Sequence, residues 1–346
     1  MIVNLQNLKS WRQWFWYEED NRLRAFWRIL LAFVAFVIVT RGSRVLLNVL
    51  LNRQDLLADT TPGDVLRLVV LLLILWLMAK YVDKRPFSAY GLKLKQKPFW
   101  LDLFVGLVLG AIMITAVFSI QYGLGWITIV GTYVKAVEWG FGLALLLSFA
   151  NILSAVIFTE LFFRGYLVLN LAESFTFLRA RYQPQPLLGM SKVKLLLNSV
   201  YARAAVLAAW FFATLFFLVF RTTDGMATSV LILNLMRASF LLTLPFILTR
   251  NLGMPIGLNL GWSFFATSVF GLRVHELIST RTSVLSIAIK GPENLTGGAA
   301  GPEAGFIAMG AIVTGGVIVM AWLRYRQKQA PPDFDPWVFE YSSIED

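Results

Sequence analysis

The sequence predicts an all-α protein, a polytopic transmembrane helix bundle of about eight spans. Hydrophobic residues make up 58% of the 346 residues and charged residues only 15%, whereas about 25% of the residues in a soluble domain are charged. The apolar residues also fall into eight separate runs. Each run is close to the roughly 20 residues that an α-helix needs to cross the hydrocarbon core of a bilayer. We therefore expect an integral membrane protein.

Each predicted span is an apolar run bounded by charged or turn-forming residues. The runs cover residues 26–51, 65–82, 101–120, 139–163 with a helical continuation to 171, 204–220, 226–249, 252–271 and 304–323. Arg41 and Arg44 interrupt the first run, and Pro245 predicts a kink in the sixth. Glycines in the third and eighth runs predict close helix packing rather than a pore. They are Gly106, Gly110, Gly315 and Gly316.

The composition excludes several kinds of site. The chain has no cysteine, so it has neither a disulfide framework nor a thiolate metal site. His275 is the single histidine, which excludes a zinc site built from several histidines. No metal and no cofactor are therefore expected. The net charge of +11 does not require nucleic acid, because basic residues in cytoplasmic loops explain it.

Basic residues concentrate at the two ends of the chain and in the connections after the second, fourth and sixth spans. They are Lys9, Arg12, Arg22, Arg24, Lys84, Arg85, Lys93, Lys95, Lys97, Arg179, Arg181, Lys192, Lys194, Arg203, Arg250, Arg324, Arg326 and Lys328. The positive-inside rule then predicts that both termini are cytoplasmic. The last external connection fits this rule less well, because it contains Arg273, Arg281 and Lys290.

Three segments follow from this pattern. Residues 1–24 form a cytoplasmic segment in which Leu8, Trp11, Trp14 and Phe15 recur at helical spacing, which predicts a short helix in the headgroup region; a site for a cytoplasmic partner is the alternative. Residues 25–326 form the transmembrane domain. Residues 327–346 form an acidic, aromatic tail, for which a flexible end and a partner-binding role are both open.

A charged pair stands inside the fourth apolar run. Glu160 and Arg164 are four residues apart, so on a helix they share a face and can form an ion pair. A charged side chain at bilayer depth costs about 3 kcal/mol, which makes the pair a candidate site in the interior of the bundle. The alternative is a purely structural ion pair that locks two helices together.

The same stretch resembles a known family. TELFFRGYL, residues 159–167, is similar to the first motif of the CPBP family of intramembrane proteases. This family includes type II CAAX prenyl endopeptidases, bacteriocin-processing proteins and abortive-infection proteins. Three further stretches resemble the family in order and spacing, from residue 83 to residue 326. They are DKRPFSAYGLKL (83–94), LGMPIGLNLGWSFF (252–265) and GPENLTGGAAGPEAGF (291–306).

The resemblance implies peptide hydrolysis in the membrane by glutamate and histidine, but the implied catalytic positions are substituted. Glu160 and Arg164 match the second glutamate and the arginine of the first motif. Other residues stand where the family has its first glutamate, its two histidines and its asparagine. These are Thr159, Phe216 (or Phe212, in another alignment), Asn259 and Ser263. His275 is no substitute, because it lies 16 residues after Asn259, about 24 Å along a helix.

Two functions from different classes remain open. The first is a non-catalytic relative of the family that binds a membrane peptide, a lipidated peptide or a partner protein. The second is an active intramembrane endopeptidase that relies on Glu160. A transporter is less well supported, because the sequence shows no inverted repeat. We expect membrane lipids as partners, the plasma membrane of a prokaryote as the location, and the degenerate motif residues clustered near Glu160.

Overall fold

The computed structural model describes residues 15–17, 22–51, 61–134, 140–182, 192–221, 229–274 and 282–329. The protein is an all-α helix bundle with little sheet, which confirms the predicted fold class. Five helices in these ranges are long and apolar enough to cross a membrane: Val65–Asp83, Lys97–Gly123, Phe141–Phe175, Ser229–Thr249 and Phe306–Lys328. Shorter apolar helices cover Ala25–Ile38 and Arg203–Val219. The protein is therefore embedded in a membrane.

Each predicted span coincides with helical structure. The α-helices are α1 (Ala25–Leu51), α2 (Thr61–Leu77), α3 (Lys97–Gly123), α4 (Phe141–Thr159), α5 (Leu169–Tyr182), α6 (Lys192–Arg221), α7 (Ser229–Thr249), α8 (Gly253–Phe264), α9 (Glu293–Thr296) and α10 (Phe306–Gln329). Three π-helical segments, Met78–Asp83, Glu160–Val168 and Phe265–Val269, extend α2, α4 and α8. Short 3-10 turns cover Phe87–Tyr90, Gly298–Ala300 and Pro302–Ala304. The strands are β1 (Trp16–Tyr17), β2 (Arg22–Leu23), β3 (Ile127–Val134) and β4 (Ser283–Ile289).

The long connection expected after the fourth span is mostly helical. The helix that begins at Phe141 continues through the π segment and α5 to Tyr182, and α6 begins at Lys192. Hydropathy marks only the apolar part of a helix, so the sequence placed the end of this helix too early. Pro302 and Glu303 form a 3-10 turn just before α10.

Two connections that were expected to be loops pair as a sheet. Strands β3 and β4 are antiparallel, with Ile127 opposite Ile289 and Val134 opposite Ser283. Both segments are rich in β-branched residues, which favour strands, but their pairing joins distant parts of the chain and leaves no local signal. We call this side of the bundle the sheet end.

The opposite side, which we call the basic end, is formed by residues 84–97, 250–253 and 322–329. Here the Leu252 amide donates to the Gly91 carbonyl at 3.0 Å, and Asp102 pairs with Arg326. Near it, β1 pairs with β2 ahead of α1. Residues 1–14, with most of the expected interfacial helix, and the tail from 330 onward lie outside the described residues.

Glycines allow α3 and α8 to touch along their backbones. A Cβ added to Gly106 would lie 2.6 Å from the Met254 carbonyl oxygen, and one added to Gly257 would overlap the Leu103 carbonyl oxygen. The close packing expected at Gly106 and Gly110 is confirmed, and α8 supplies its own glycines to the same interface. These are Gly253, Gly257 and Gly261. The interface fixes α8, and with it Asn259, within the bundle.

Candidate functional site

Glu160 and Arg164 form a buried ion pair at the point where α4 becomes π-helical. Oε1 of Glu160 lies 3.2 Å from Nη1 of Arg164, and the two side chains are 0% and 1% exposed. The π-helical segment Glu160–Val168 begins at the glutamate itself. Such segments are rare and are frequent at functional sites. The expected burial and pairing of these two residues are confirmed.

Helix α8 places two of the degenerate motif residues against Glu160. Nδ2 of Asn259 donates to Oε1 of Glu160 at 2.8 Å. Oγ of Ser263, one turn further along α8, donates to Oδ1 of Asn259 at 3.2 Å. Ser263, Asn259, Glu160 and Arg164 therefore form one connected polar chain between two helices. Asn259 is six residues after Gly253, about 9 Å along the helix, so this chain lies in the half of the bundle nearer the basic end.

An aromatic side chain of α6 covers the guanidinium. The Arg164 Cζ lies 4.6 Å from the centroid of the Phe217 ring, a cation–π arrangement. The phenylalanine implied by the resemblance, Phe216, instead packs on Phe33 and Phe163 and is 38% exposed. Phe217 was missed because nothing in the run FFATLFF distinguishes it from its neighbours.

Two other positions predicted from the sequence, Thr159 and Phe212, form no hydrogen bond with the Glu160 carboxylate. The Thr159 hydroxyl donates to the carbonyls of Ala155 and Val156 at 3.0 and 3.1 Å, so it is bonded to its own helix. Phe212, the alternative to Phe216, packs on Phe175 at a centroid distance of 5.8 Å. A threonine hydroxyl held in this way cannot take up a proton from water.

The site around Glu160 can accept hydrogen bonds, but the described residues of this site do not include a second acid or base to act with the carboxylate. Proton transfer in both directions needs a second titratable group within hydrogen-bond reach. His275 lies outside the described residues, and the residues that are described contain no group of three or more potential metal ligands. Oε2 of Glu160 is buried and has no hydrogen-bond partner in this part of the structure. It is therefore an acceptor open to a ligand.

A second buried cluster of charges joins α1, the end of α2 and α5. Arg28 donates to Asp83 at 3.3 Å and to Glu173 at 3.1 Å. Arg85 donates to Glu173 at 2.6 Å, and the Tyr90 hydroxyl donates to Asp83 at 2.5 Å. Burial raises the pKa of Tyr90 well above its ordinary value, and the Asp83 carboxylate adds to the shift. Because both oxygens of Asp83 and both oxygens of Glu173 are engaged, the cluster stabilises the packing of these helices.

A third cluster closes the basic end around Asp102 of α3. Trp322 Nε1 donates to Oδ1 of Asp102 at 3.2 Å, and Arg326 pairs with Oδ2. Asn251 Nδ2 approaches Oδ2 at 3.4 Å, and the Gly253 amide donates to Oδ1 of Asn251 at 2.9 Å. Helices α3, α8 and α10 are thus tied together next to the glycine interface.

The fold and the site together define a class: an integral membrane helix bundle with a buried, incompletely bonded carboxylate between α4 and α8. No family model, no curated protein sequence and no solved structure matches this chain.

Proposed function

We propose that the protein is a non-catalytic, CPBP-like integral membrane protein that binds a membrane peptide, a lipidated peptide or a partner protein at the site around Glu160. The observation that carries this proposal is the set of bonds around the carboxylate. Arg164 and Asn259 hold one oxygen of Glu160, while the Thr159 hydroxyl is bonded to its own helix. The base and the histidines that the resemblance implies have no counterpart in this set.

The free oxygen of Glu160 supports a binding role. A peptide N–H that enters the membrane interior loses its hydrogen bonds to water and needs a protein acceptor. Oε2 of Glu160 is such an acceptor, because it is buried and has no partner in the described part of the chain. Arg164 and Asn259 keep the carboxylate fixed on its other side, so the acceptor is already oriented for an N–H donor.

The proposal includes a location and an orientation. The basic end would face the cytoplasm, because it carries residues 84–97 and the end of α10 with Arg326 and Lys328. The Glu160 site would then lie nearer to the cytoplasmic side, in the plasma membrane of a prokaryote. This orientation suits a peptide or lipidated partner that is presented from the cytoplasm.

The experiment is a paired cleavage and binding assay. Purified protein is incubated with fluorescent prenylated CAAX peptides and with transmembrane peptides, beside the Glu160→Gln variant. We expect no cleavage by either protein, and weaker binding by Glu160→Gln because the amide presents a poorer acceptor and a donor in its place. Cleavage by the parent that is absent from Glu160→Gln would overturn the non-catalytic proposal.

One observation favours the second candidate, an active endopeptidase that relies on Glu160. A general base must have a lone pair beside its water, and the unbonded Oε2 meets that single requirement. Such an enzyme would still need an acid for the leaving group from an arrangement that the family motifs do not predict. The same assay separates the two candidates, because only an enzyme gives product that increases with time.

A further inference from the structure

A cavity lies between α7, α8 and α10, with Met113 of α3 on one side. Its volume is about 70 Å³, roughly half that of an engineered apolar cavity of about 150 Å³ that takes up benzene. Apolar side chains form most of its wall. The space therefore suits a stretch of one hydrocarbon chain and is too small for a peptide helix.

The cavity lies directly behind a surface that faces lipid. Ile312 and Gly316 of α10 line it, while Val313 and Val317 of the same helix are 53% and 67% exposed. Because α10 is long and apolar enough to cross a membrane, this exposed surface contacts bilayer hydrocarbon. The bilayer is therefore the nearest source of a hydrocarbon chain for the cavity.

A polar group in the wall points to the chemistry of the occupant. Asn234 lines the cavity and is 1% exposed. Its Nδ2 donates to the Gly305 carbonyl at 3.1 Å, which fixes the orientation of the amide. Its Oδ1 is buried without a hydrogen-bond partner among the described residues. A buried amide oxygen in this state is stabilised by a ligand that brings an O–H or N–H donor.

The polar part of the wall lies at the sheet end. Asn234 is near the beginning of α7, and Glu303, which also lines the cavity, stands just before α10. A ligand head that donates a hydrogen bond to Asn234 therefore fits this end of the cavity.

We propose that the cavity binds the head and the first methylenes of a single-chain amphiphile whose head donates a hydrogen bond, such as a long-chain alcohol or amine. The head donates to Oδ1 of Asn234, and the remainder of the chain lies along α10 in the bilayer. The site around Glu160, between α4 and α8, is proposed to bind a peptide; Asn259 borders both sites, but the donor requirement of the cavity rests on Asn234. Either site can fail its test while the other passes.

The first test uses the unaltered full-length protein in nanodiscs. It is incubated with hexadecanol that carries a diazirine in its chain, and with the matching amine, methyl ether and carboxylic acid. After photolysis, labelled peptides are quantified by mass spectrometry. We expect the alcohol and the amine to label α7 and α10, and the ether, which lacks a donor, to bind about fivefold more weakly. Equal labelling by alcohol and ether, stronger labelling by the acid, or no labelling of these helices would overturn the proposal.

Two variants of α10 test whether the ligand binds in the cavity. Gly316→Leu fills the space, because a side chain at this position displaces Leu241, and we expect labelling to fall by on the order of tenfold. Gly310→Leu is the matched control on the same helix, since nothing lies within 4 Å of a Cβ at this position, and labelling should be unchanged. Equal labelling in the two variants would place the ligand elsewhere.

The Asn234→Leu variant tests the acceptor itself. This variant should bind the alcohol and the ether equally, and retained preference for the alcohol would overturn the role of Asn234. Thermal melting of each variant shows whether it is folded. If Asn234→Leu does not fold, the preference of the unaltered protein for alcohol over ether still tests the donor requirement, because that comparison needs no variant.

Discussion

Two buried glutamates on one continuous helix have different surroundings. The difference distinguishes a carboxylate that stabilises the fold from one that is available to a ligand. Glu173 has both oxygens engaged: Arg85 donates to Oε1, and Arg28 to Oε2. Glu160 has one oxygen engaged, by Arg164 and Asn259, and the other without a partner in the described part of the chain. A fully paired carboxylate stabilises the fold, whereas an incompletely bonded one is available to a ligand. This contrast is why the proposed peptide site is at Glu160.

The Glu160→Ala substitution should destabilise the protein strongly. It leaves the Arg164 guanidinium buried without its counter-charge, and removing one partner of a buried pair typically costs about 3–5 kcal/mol. Thermal melting in detergent measures the effect. The matched control is Thr159→Val, which should change the free energy of unfolding by less than about 1 kcal/mol, because that hydroxyl only bonds its own helix. An unchanged melting temperature for Glu160→Ala would show that the ion pair is solvated or unimportant.

The Tyr90–Asp83 contact predicts that the stability of the folded protein falls at high pH. Burial raises the pKa of Tyr90 in the folded protein, with a further contribution from Asp83. The neutral phenol is therefore stabilised by folding. That contribution is complete below the unfolded pKa, about 10, and is lost as the pH rises through the folded pKa.

The Tyr90→Phe variant isolates this contribution. Below about pH 10 we expect it to be less stable than the parent by about 2 kcal/mol, the contribution typical of a hydrogen bond to a charged group. Above that pH the difference should shrink. Melting curves of both proteins between pH 7 and 11 provide the measurement, and a difference that stays constant across this range would contradict the assignment.

At the scale of elements, the sequence predicted the spans well and their extensions poorly. Burial in lipid requires an apolar run, so each run found by hydropathy overlaps a helix, and five of the described helices are long and apolar enough to cross a membrane. Hydropathy carries no information on helix that continues outside the apolar run, which is why α5 was missed. Hydropathy also carries no information on strand pairing, since β3 and β4 are far apart in the sequence and are adjacent only in the folded bundle.

Gly257→Ala should break the closest helix contact in the described part of the bundle. Even one methyl group here would overlap the Leu103 carbonyl oxygen, and a backbone atom cannot rotate away as a side chain can. Overpacking of this kind costs about 1–3 kcal/mol or more, so we expect less folded protein in the membrane and a lower melting temperature. Gly310→Ala on α10 is the control, because its Cβ would meet open space. Equal stability of the two variants would show that α3 and α8 are farther apart.

At the scale of the whole molecule, the candidate site was predicted only in part. Asn259 and Ser263 were expected near Glu160 because the resemblance of residues 252–265 to a family motif implied it, and hydrogen bonds connect them to Glu160. Phe217, Arg28 and Glu173 were not expected. Their roles depend on contacts across helices that are distant in sequence, and a single sequence contains no signal for such contacts.

The orientation of the bundle gives the last prediction. Residues 84–97, Arg250 and the end of α10 meet at one end, and β3, β4 and the Gly297–Gly301 turns lie at the other. The membrane potential and the translocation machinery disfavour export of short basic connections, so the basic end should be cytoplasmic. Reporter fusions after Lys95 and after Gln329 should both give a cytoplasmic signal, and an insertion near Gly298 should not. The Gly298 position is the decisive one, because the connection that contains it includes Arg273 and Lys290 and fits the charge rule least well. An external signal at Lys95 would show that the orientation is the opposite one. The Glu160 site would then lie nearer the outside of the cell than the cytoplasm.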